Sequence, residues 1–495
     1  MKTGFTLTGK SGAHRAAADL LVAGVNAGDS KRIAELDRRL GGAASRGIEK
    51  TSARLGSCFV VDTMGRLPAR AVAVAGLGEK KNFSAPGDCF KAASAAVRAA
   101  GGGGLKKVVL DFPGLSSTAA GVRALLEGAL LGAYRFSKYK GGGGTPEGGP
   151  DAPERIAVAS SISSAAFKDA SRLALATAEG VRLCRDLVNE PPMSLTPAAL
   201  AEAAERMCAE EGLECAVITP EEMEKRGMGG LLAVGGGSAN PPRLIHMKYR
   251  PSPAGRARKV AIVGKGITFD SGGLSLKPAD SMRNMKMDMA GAAAVIGAMK
   301  AVCAVRPRAE VHGIVASAEN MTGPAAYRPD DIVTPMNGKT VEIVNTDAEG
   351  RVVLADALSY AVELGAREIV DLATLTGACV VALGGNTAGV MGNSPEVVKN
   401  ILRSAASAGE AMWELPLSED LGKDIESDFA DIKNAGGRAG GAITAALFLE
   451  HFVSRTPWAH IDIAGPAYRE KGGDWHPVGA TGFGVRTVLD YLSRK

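Results

Sequence analysis

Two segments of the chain gather residues able to hold cations or move protons. In the first, Gly264-Lys265-Gly266-Ile267-Thr268-Phe269-Asp270-Ser271-Gly272-Gly273 leads on to Lys277 and Asp288. An apolar run at 260–263 reads as a strand, so Lys265 and Asp270 fall at a strand's carboxyl end, where α/β proteins place their sites. The glycines let a ligand approach the backbone closely. In the second, Asn345-Thr346-Asp347-Ala348-Glu349-Gly350-Arg351 follows an expected strand at 340–344 and opens an expected helix running to 364. Asp347 and Glu349 then lie at a helix N-terminus, where free N–H groups favour negative charge. Each residue has a plain alternative: Asp347 as a helix cap, Lys265 as a loop lysine, Asp270 as a turn residue. As a set they are harder to dismiss. Converging carboxylates repel one another unless cations neutralise them, and divalent metals do so well.

Other chemistries find little support. Asn337-Gly338-Lys339-Thr340 resembles the end of a phosphate loop, but Val333 stands where its first glycine belongs. A tight Asn-Gly hairpin turn is the better reading. The glycine-rich 479–484 lacks the context of a dinucleotide site and reads as packing. The six histidines are scattered without an H-x-x-x-H, which argues against a histidine-based zinc site. No Gly-x-Ser-x-Gly elbow is present.

The elements that must position these residues alternate between strand and helix. In 1–165, apolar runs at 58–61, 71–75, 107–110 and 156–159 read as strands, and 90–100 and 121–134 as helices. Glycine blocks at 101–104 and 141–149 read as loops or a linker. A long helix at 165–188 ends before Pro191-Pro192. Beyond it, strands are expected at 214–218, 244–249, 260–263, 311–316, 369–373 and 459–463. Helices are expected at 197–211, 290–302, 350–364, 395–408 and 442–453. The reading is an α/β protein of two domains: a smaller N-terminal α/β domain at 1–165, a linking helix at 166–190, and a larger α/β domain at 191–495 with a mixed, largely parallel sheet.

Lys+Arg minus Asp+Glu is 58 − 53 = +5. Residues 1–165 carry 23 basic and 13 acidic side chains, net +10, leaving −5 for the remainder, so the two parts present different surfaces. Seven cysteines, an odd number without C-x-x-C, argue for thiols in a reducing compartment. With no signal-peptide pattern, and with the uncharged stretch 372–395 broken by glycines, the expectation is a cytoplasmic protein without a membrane partner.

The segments 263–278, 284–291 and 345–351 resemble the cytosolic leucyl aminopeptidase family, for which the heptapeptide is very specific. Similarity continues through 186–197, 372–385, 429–448 and 458–467. Residues 1–165 resemble the family only in position and size, and Val352 departs from its usual leucine. The resemblance implies two divalent ions (Mn²⁺ or Zn²⁺, or Mg²⁺). Lys265, Asp270, Asp288 and Glu349 would hold one; Asp270, Asp347 and Glu349 would hold the other. A ligating Lys265 must be neutral, which a neighbouring dication favours. A hydroxide shared by two ions would attack the first peptide carbonyl, with Lys277 stabilising the oxyanion. A bicarbonate at Arg351 would shuttle the proton. Met285, Thr374, Gly377, Ala464 and Ala467 would line the pocket for the first side chain, suited to leucine and other apolar groups. Peptides with a free N-terminus are the implied substrates and a homohexamer the implied assembly.

Two alternatives stand beside this. The basic N-terminal part motivates DNA binding, which would be steeply salt-dependent. Its basic residues (Lys31-Arg32, Arg38-Arg39, Lys80-Lys81, Lys106-Lys107) are scattered with few aromatics between them, so a solvated surface is the favoured reading. A Cys-Gly dipeptidase is the other alternative.

Overall fold

A computed structural model describes residues 3–9, 12–79, 86–101, 104–140, 152–251 and 257–495. The glycine block at 141–149, part of the one at 101–104, and the Lys80-Lys81 pair lie outside the described residues. The chain forms two compact units. One holds 1–182 with the short segments 407–409 and 469–478; the other holds 183–406, 410–468 and 479–495.

The first unit is built on six strands: β1 (Gly4–Thr8), β2 (Ala18–Val25), β3 (Cys58–Asp62), β4 (Ala69–Gly76), β5 (Lys107–Asp111) and β6 (Arg155–Ala159). Their order is β1-β6-β5-β2-β4-β3, parallel except for β3 against β4. The four expected strands are present. β2, a central strand, was not expected. Its run Ala-Asp-Leu-Leu-Val-Ala-Gly-Val is nearly all buried and lacks the alternation that marks a half-exposed strand.

Strands of the second unit are β7 (Glu214–Ile218), β8 (Arg243–Tyr249), β9 (Lys259–Asp270), β10 (Glu310–Asn320), β11 (Ile332–Val333), β12 (Val341–Glu342), β13 (Glu368–Ala373), β14 (Ala388–Gly392), β15 (Met412–Glu414), β16 (Ile432–Lys433) and β17 (Trp458–Asp462). Eight form one mixed sheet in the order β15-β14-β17-β13-β9-β10-β8-β7, whose central β17, β13, β9 and β10 run parallel. From β9 the chain crosses through the helix Ala290–Val305 to β10, then returns through the helix Glu349–Glu363 to β13 on the other side of β9. The connections diverge at β9, so a crevice opens at its carboxyl end.

Three expectations change. The strand foreseen at 260–263 runs on to Asp270, so Lys265 lies within β9. The strand foreseen at 340–344 pairs only over Val341–Glu342. Asn337-Gly338 is no two-residue hairpin: β11 and β12 pair antiparallel across 334–340, with a turn closed by Gly338 N–H donating to Pro335 O at 2.9 Å. The most apolar long helical stretch, Ala279–Val305, is mostly buried in this unit rather than exposed.

The helix Glu349–Glu363 is buried along most of its length. Its Asp356 is fully buried and accepts the Leu231 and Met336 N–H groups, each at 2.7 Å. Burial pushes this carboxyl up to about 7. An Asp356→Ala change leaves two buried N–H groups without acceptors, and each such loss costs ~1–3 kcal/mol. Denaturant unfolding of Asp356→Ala is therefore expected to show a loss of ~2–5 kcal/mol. A loss below ~0.5 kcal/mol would contradict this account.

Candidate metal and active site

β9 outlasts its neighbour. The last β13 partner is Leu372 opposite Gly264; from Lys265 onward β9 pairs with β10 alone, as far as Asp270 opposite Asn320. Lys265 is thus the first residue past the shared ladder, and its ammonium donates to Thr374 O at 3.0 Å, just beyond the end of β13. Lys265 and Asp270 are five residues apart. In a regular strand an odd spacing sends side chains to opposite faces. Here Ile267 pairs with Ala318 and Phe269 with Glu319, so Thr268 is an extra residue. Such a bulge re-aims the following side chains, and Asp270 reaches the cluster that Lys265 also faces.

The second segment is stitched to the first through Thr346. Its hydroxyl donates to Gly272 O at 2.6 Å and accepts from Ser275 N–H at 2.8 Å. Its carbonyl accepts from Asn320 Nδ2 at 3.0 Å and from the Tyr327 hydroxyl at 2.8 Å. Asn320 Nδ2 also donates to Asp270 Oδ1 at 2.9 Å. Asp347 does not cap the helix: the N-cap is Ala348, with no side-chain cap. Gly350 is required for space, since a Cβ there would lie 2.5 Å from Lys265 Cε. Gly272 is required for conformation, at φ +86°.

The result is a buried cluster of opposite charges. Lys265 Nζ lies 2.7 Å from Asp288 Oδ2 and 2.9 Å from Glu349 Oε1. Lys277 Nζ lies 2.8 Å from Asp270 Oδ2 and also pairs with Asp347. Thr374 Oγ1 donates to Asp288 Oδ1 at 2.8 Å. Burial alone would lower both lysines, but the facing carboxylates outweigh it and hold both above the usual range. Burial, helped by Asp270, pushes Glu349 up to about 8; burial likewise raises Asp288 to about 6 and Asp347 above its ordinary value. Burial lowers Arg351 to about 10, partly offset by Glu349 and Asp462.

A cation fits here on two observations. Among the described residues, Asp270, Asp347 and Glu349 can each place one oxygen within 4.8 Å of the others. Glu349 Oε2 is buried without a hydrogen-bond partner.

The cluster floors a cavity of about 750 Å³. Lys265, Asp270, Lys277, Asp288, Asp347, Glu349 and Arg351 line it, as do Met285, Thr374, Gly377 and Ala464. Ala467 does not; it is buried. Sequence reasoning missed the supporting layer. Asp462 accepts from Thr376 Oγ1 at 2.7 Å and from the Leu375 and Ala464 N–H groups, holding the wall. Beneath it, Asp371 bonds His460 Nδ1 and Trp458 Nε1, both at 2.6 Å. Trp458, His460 and Asp462 alternate along β17; the strand expected at 459–463 contained most of that alternation, but no local signal tied it to the cluster.

The description "Cytosol aminopeptidase family, catalytic domain" matches residues 182–489, and "Cytosol aminopeptidase family, N-terminal domain" matches 22–142. The chain is similar to a "Probable cytosol aminopeptidase" of Aquifex aeolicus, 43% identical over 473 residues, covering 94% of each chain. One from Persephonella marina is 45% identical over 475 residues, covering 94% of this chain and 93% of the relative. Among solved structures, the bottromycin maturation enzyme BotP in complex with Mn superposes with a TM-score of 0.84 at 37% identity, over 97% of this chain and 99% of that one. A mutant of tomato leucine aminopeptidase superposes at 0.88 and 33% identity, over 100% and 97%.

Metal ligands must be deprotonated, so an ion held by Asp270, Asp347 and Glu349 would have to displace the proton that burial keeps on Glu349 near neutral pH. Calorimetric titration of the metal-free protein near pH 7, in buffers of different ionisation heat, is expected to show release of about one proton or more per chain. Affinity should weaken as pH falls through about 6, where Asp288 takes up its proton. Uptake without proton release would place the metal elsewhere. The acidic cluster has the chemistry of a metal centre, and both family descriptions match in order along the sequence: the chain belongs to the cytosol aminopeptidase family and is a metal-dependent aminopeptidase, a hydrolase of peptides.

Proposed function

We propose that this aminopeptidase removes leucine and other apolar residues from the N-termini of peptides, using two divalent ions in the cluster. The observation that carries the reading is the convergence of Asp270, Asp347 and Glu349 beside Lys265 and Asp288 on one cavity floor. Lys265, Asp270, Asp288 and Glu349 would hold one ion; Asp270, Asp347 and Glu349 would hold the other, and Mn²⁺ or Zn²⁺, or Mg²⁺, would suit these ligands. Bound there, such ions supply Lewis-acid polarisation and a water acidic enough to act as hydroxide near neutral pH.

The chain's own residues do the remainder. Lys265 would have to be neutral to serve as a ligand. Lys277 keeps its proton and donates to the carbonyl oxygen as negative charge develops on it. Arg351, charged at neutral pH, would hold an anion such as bicarbonate at the helix N-terminus, where it would supply a proton relay. Met285, Thr374, Gly377 and Ala464 receive the first side chain; Ala467, buried and outside the cavity lining, does not. Residues 191–495 form the catalytic domain, 166–190 link it, and 1–165 serve oligomerisation or an accessory role in a cytoplasmic homohexamer.

Chelation is expected to abolish hydrolysis of leucine amide, and Mn²⁺ or Zn²⁺ to restore it. Glu349→Ala should lower kcat by ~10²-fold or more. Lys265→Arg, which cannot deprotonate, should reduce bound metal from two ions per chain to one by elemental analysis. Full activity of Glu349→Ala under metal-controlled conditions would overturn the mechanism. Faster cleavage of Cys-Gly than of leucine amide would overturn the preference.

A further inference from the structure

Four methionines occur in eight residues: Met282, Met285, Met287 and Met289. Met285 and Met287 both line the cavity. Between them Lys286 donates to Asn189 O at 2.7 Å, and the next residue, Asp288, is buried against Lys265. The two thioethers therefore sit on a short helical turn, Met285–Met287, entered through Asn284 at φ +73°, held at its middle by Lys286 and followed by the buried Asp288. Both are half-buried, within reach of a small solute in the cavity, whereas Met289 is fully buried.

We propose that Met285 and Met287 form an oxidation-sensitive modification site in the cavity wall, acted on by peroxides. Hydrogen peroxide transfers one oxygen to the thioether: the O–O bond breaks, an S–O bond forms, sulfur is oxidised by two electrons, and the second oxygen leaves as water. The sulfoxide is polar where the thioether was apolar, and a dithiol-dependent sulfoxide reductase reverses the change. Because the turn is pinned, the modified side chains stay in the wall. A leucine-sized group then meets polar surface, and its KM rises by about tenfold, the scale on which apolar pockets discriminate. This consequence rests on the cavity being the pocket for the first side chain.

The test treats the metal-loaded full-length protein with graded hydrogen peroxide, followed by peptide mass mapping and kinetics on leucine amide. Met64 and Met193, 83% and 88% exposed and not in the cavity wall, are internal controls. KM is expected to follow oxygen addition at Met285 and Met287, not at Met64 and Met193, and to recover with sulfoxide reductase. A Met64→Leu, Met193→Leu double variant should keep its basal activity and its sensitivity; Met287→Leu should lose part of the sensitivity. Resistance of Met285 and Met287 after Met64 and Met193 are fully converted would overturn the site, as would full conversion with unchanged kinetics. Untreated protein inactive on every aminoacyl amide would instead overturn the substrate reading, and the mass map, which needs no activity, would still decide whether the site is modified.

Discussion

Mutual repulsion of buried carboxylates is the constraint around which the second unit is arranged. Two like charges ~4 Å apart in a partly screened environment repel by ~4 kcal/mol. Asp270, Asp288 and Glu349 are almost wholly buried, and Asp347 stands beside them. Two lysines offset that repulsion without any ion, Lys265 toward Asp288 and Glu349, Lys277 toward Asp270 and Asp347. The same ion pairs that stabilise the metal-free fold occupy carboxylates that a dication would need, and Glu349 is protonated among them near neutral pH. Metal binding and proton loss are thus one equilibrium.

Holding such a cluster rigidly calls for more than the charged residues. Asn320 and Tyr327 donate to the carbonyl of Thr346, while the Thr346 hydroxyl clamps the loop around Gly272. Asp462 and Asp371 fix the opposite wall from β17 and β13. These groups satisfy one another below the cavity, so the side chains above them have little freedom to drift. Glycine enters where a side chain would collide, and Gly350 against Lys265 is the clearest case.

Much of the fold was legible in the sequence. Pro197–Glu211 and Pro395–Ala408 have the predicted bounds because proline starts both and their apolar faces recur with helical period. Strands with clear flanks, such as Glu214–Ile218, were equally readable. Two buried strands were not: β2 and β14 carry no alternation because both faces are covered, and glycines interrupt β14. The Asn-Gly turn misled because its local signal is the same whether two residues or seven bridge the strands.

The sequence alone determined which groups are present and their local order: the heptapeptide, the glycine-flanked Lys265 and Asp270, and the family these resemble. The resemblance implied that Lys265 and Asp270 share a site, but spacing could not show how: the expected strand stopped at 263, and once β9 runs on to Asp270 their odd spacing argues for opposite faces. Only the tertiary structure supplied the bulge at Thr268, which exists because β10 pairs with one residue fewer. Nor could the chain show that Asn320, Thr346 and Asp462 hold the site, since each is brought to its partner across 26 to 87 residues. Hydrogen bonds depend on distance and direction in space, and neither is written in spacing along the chain.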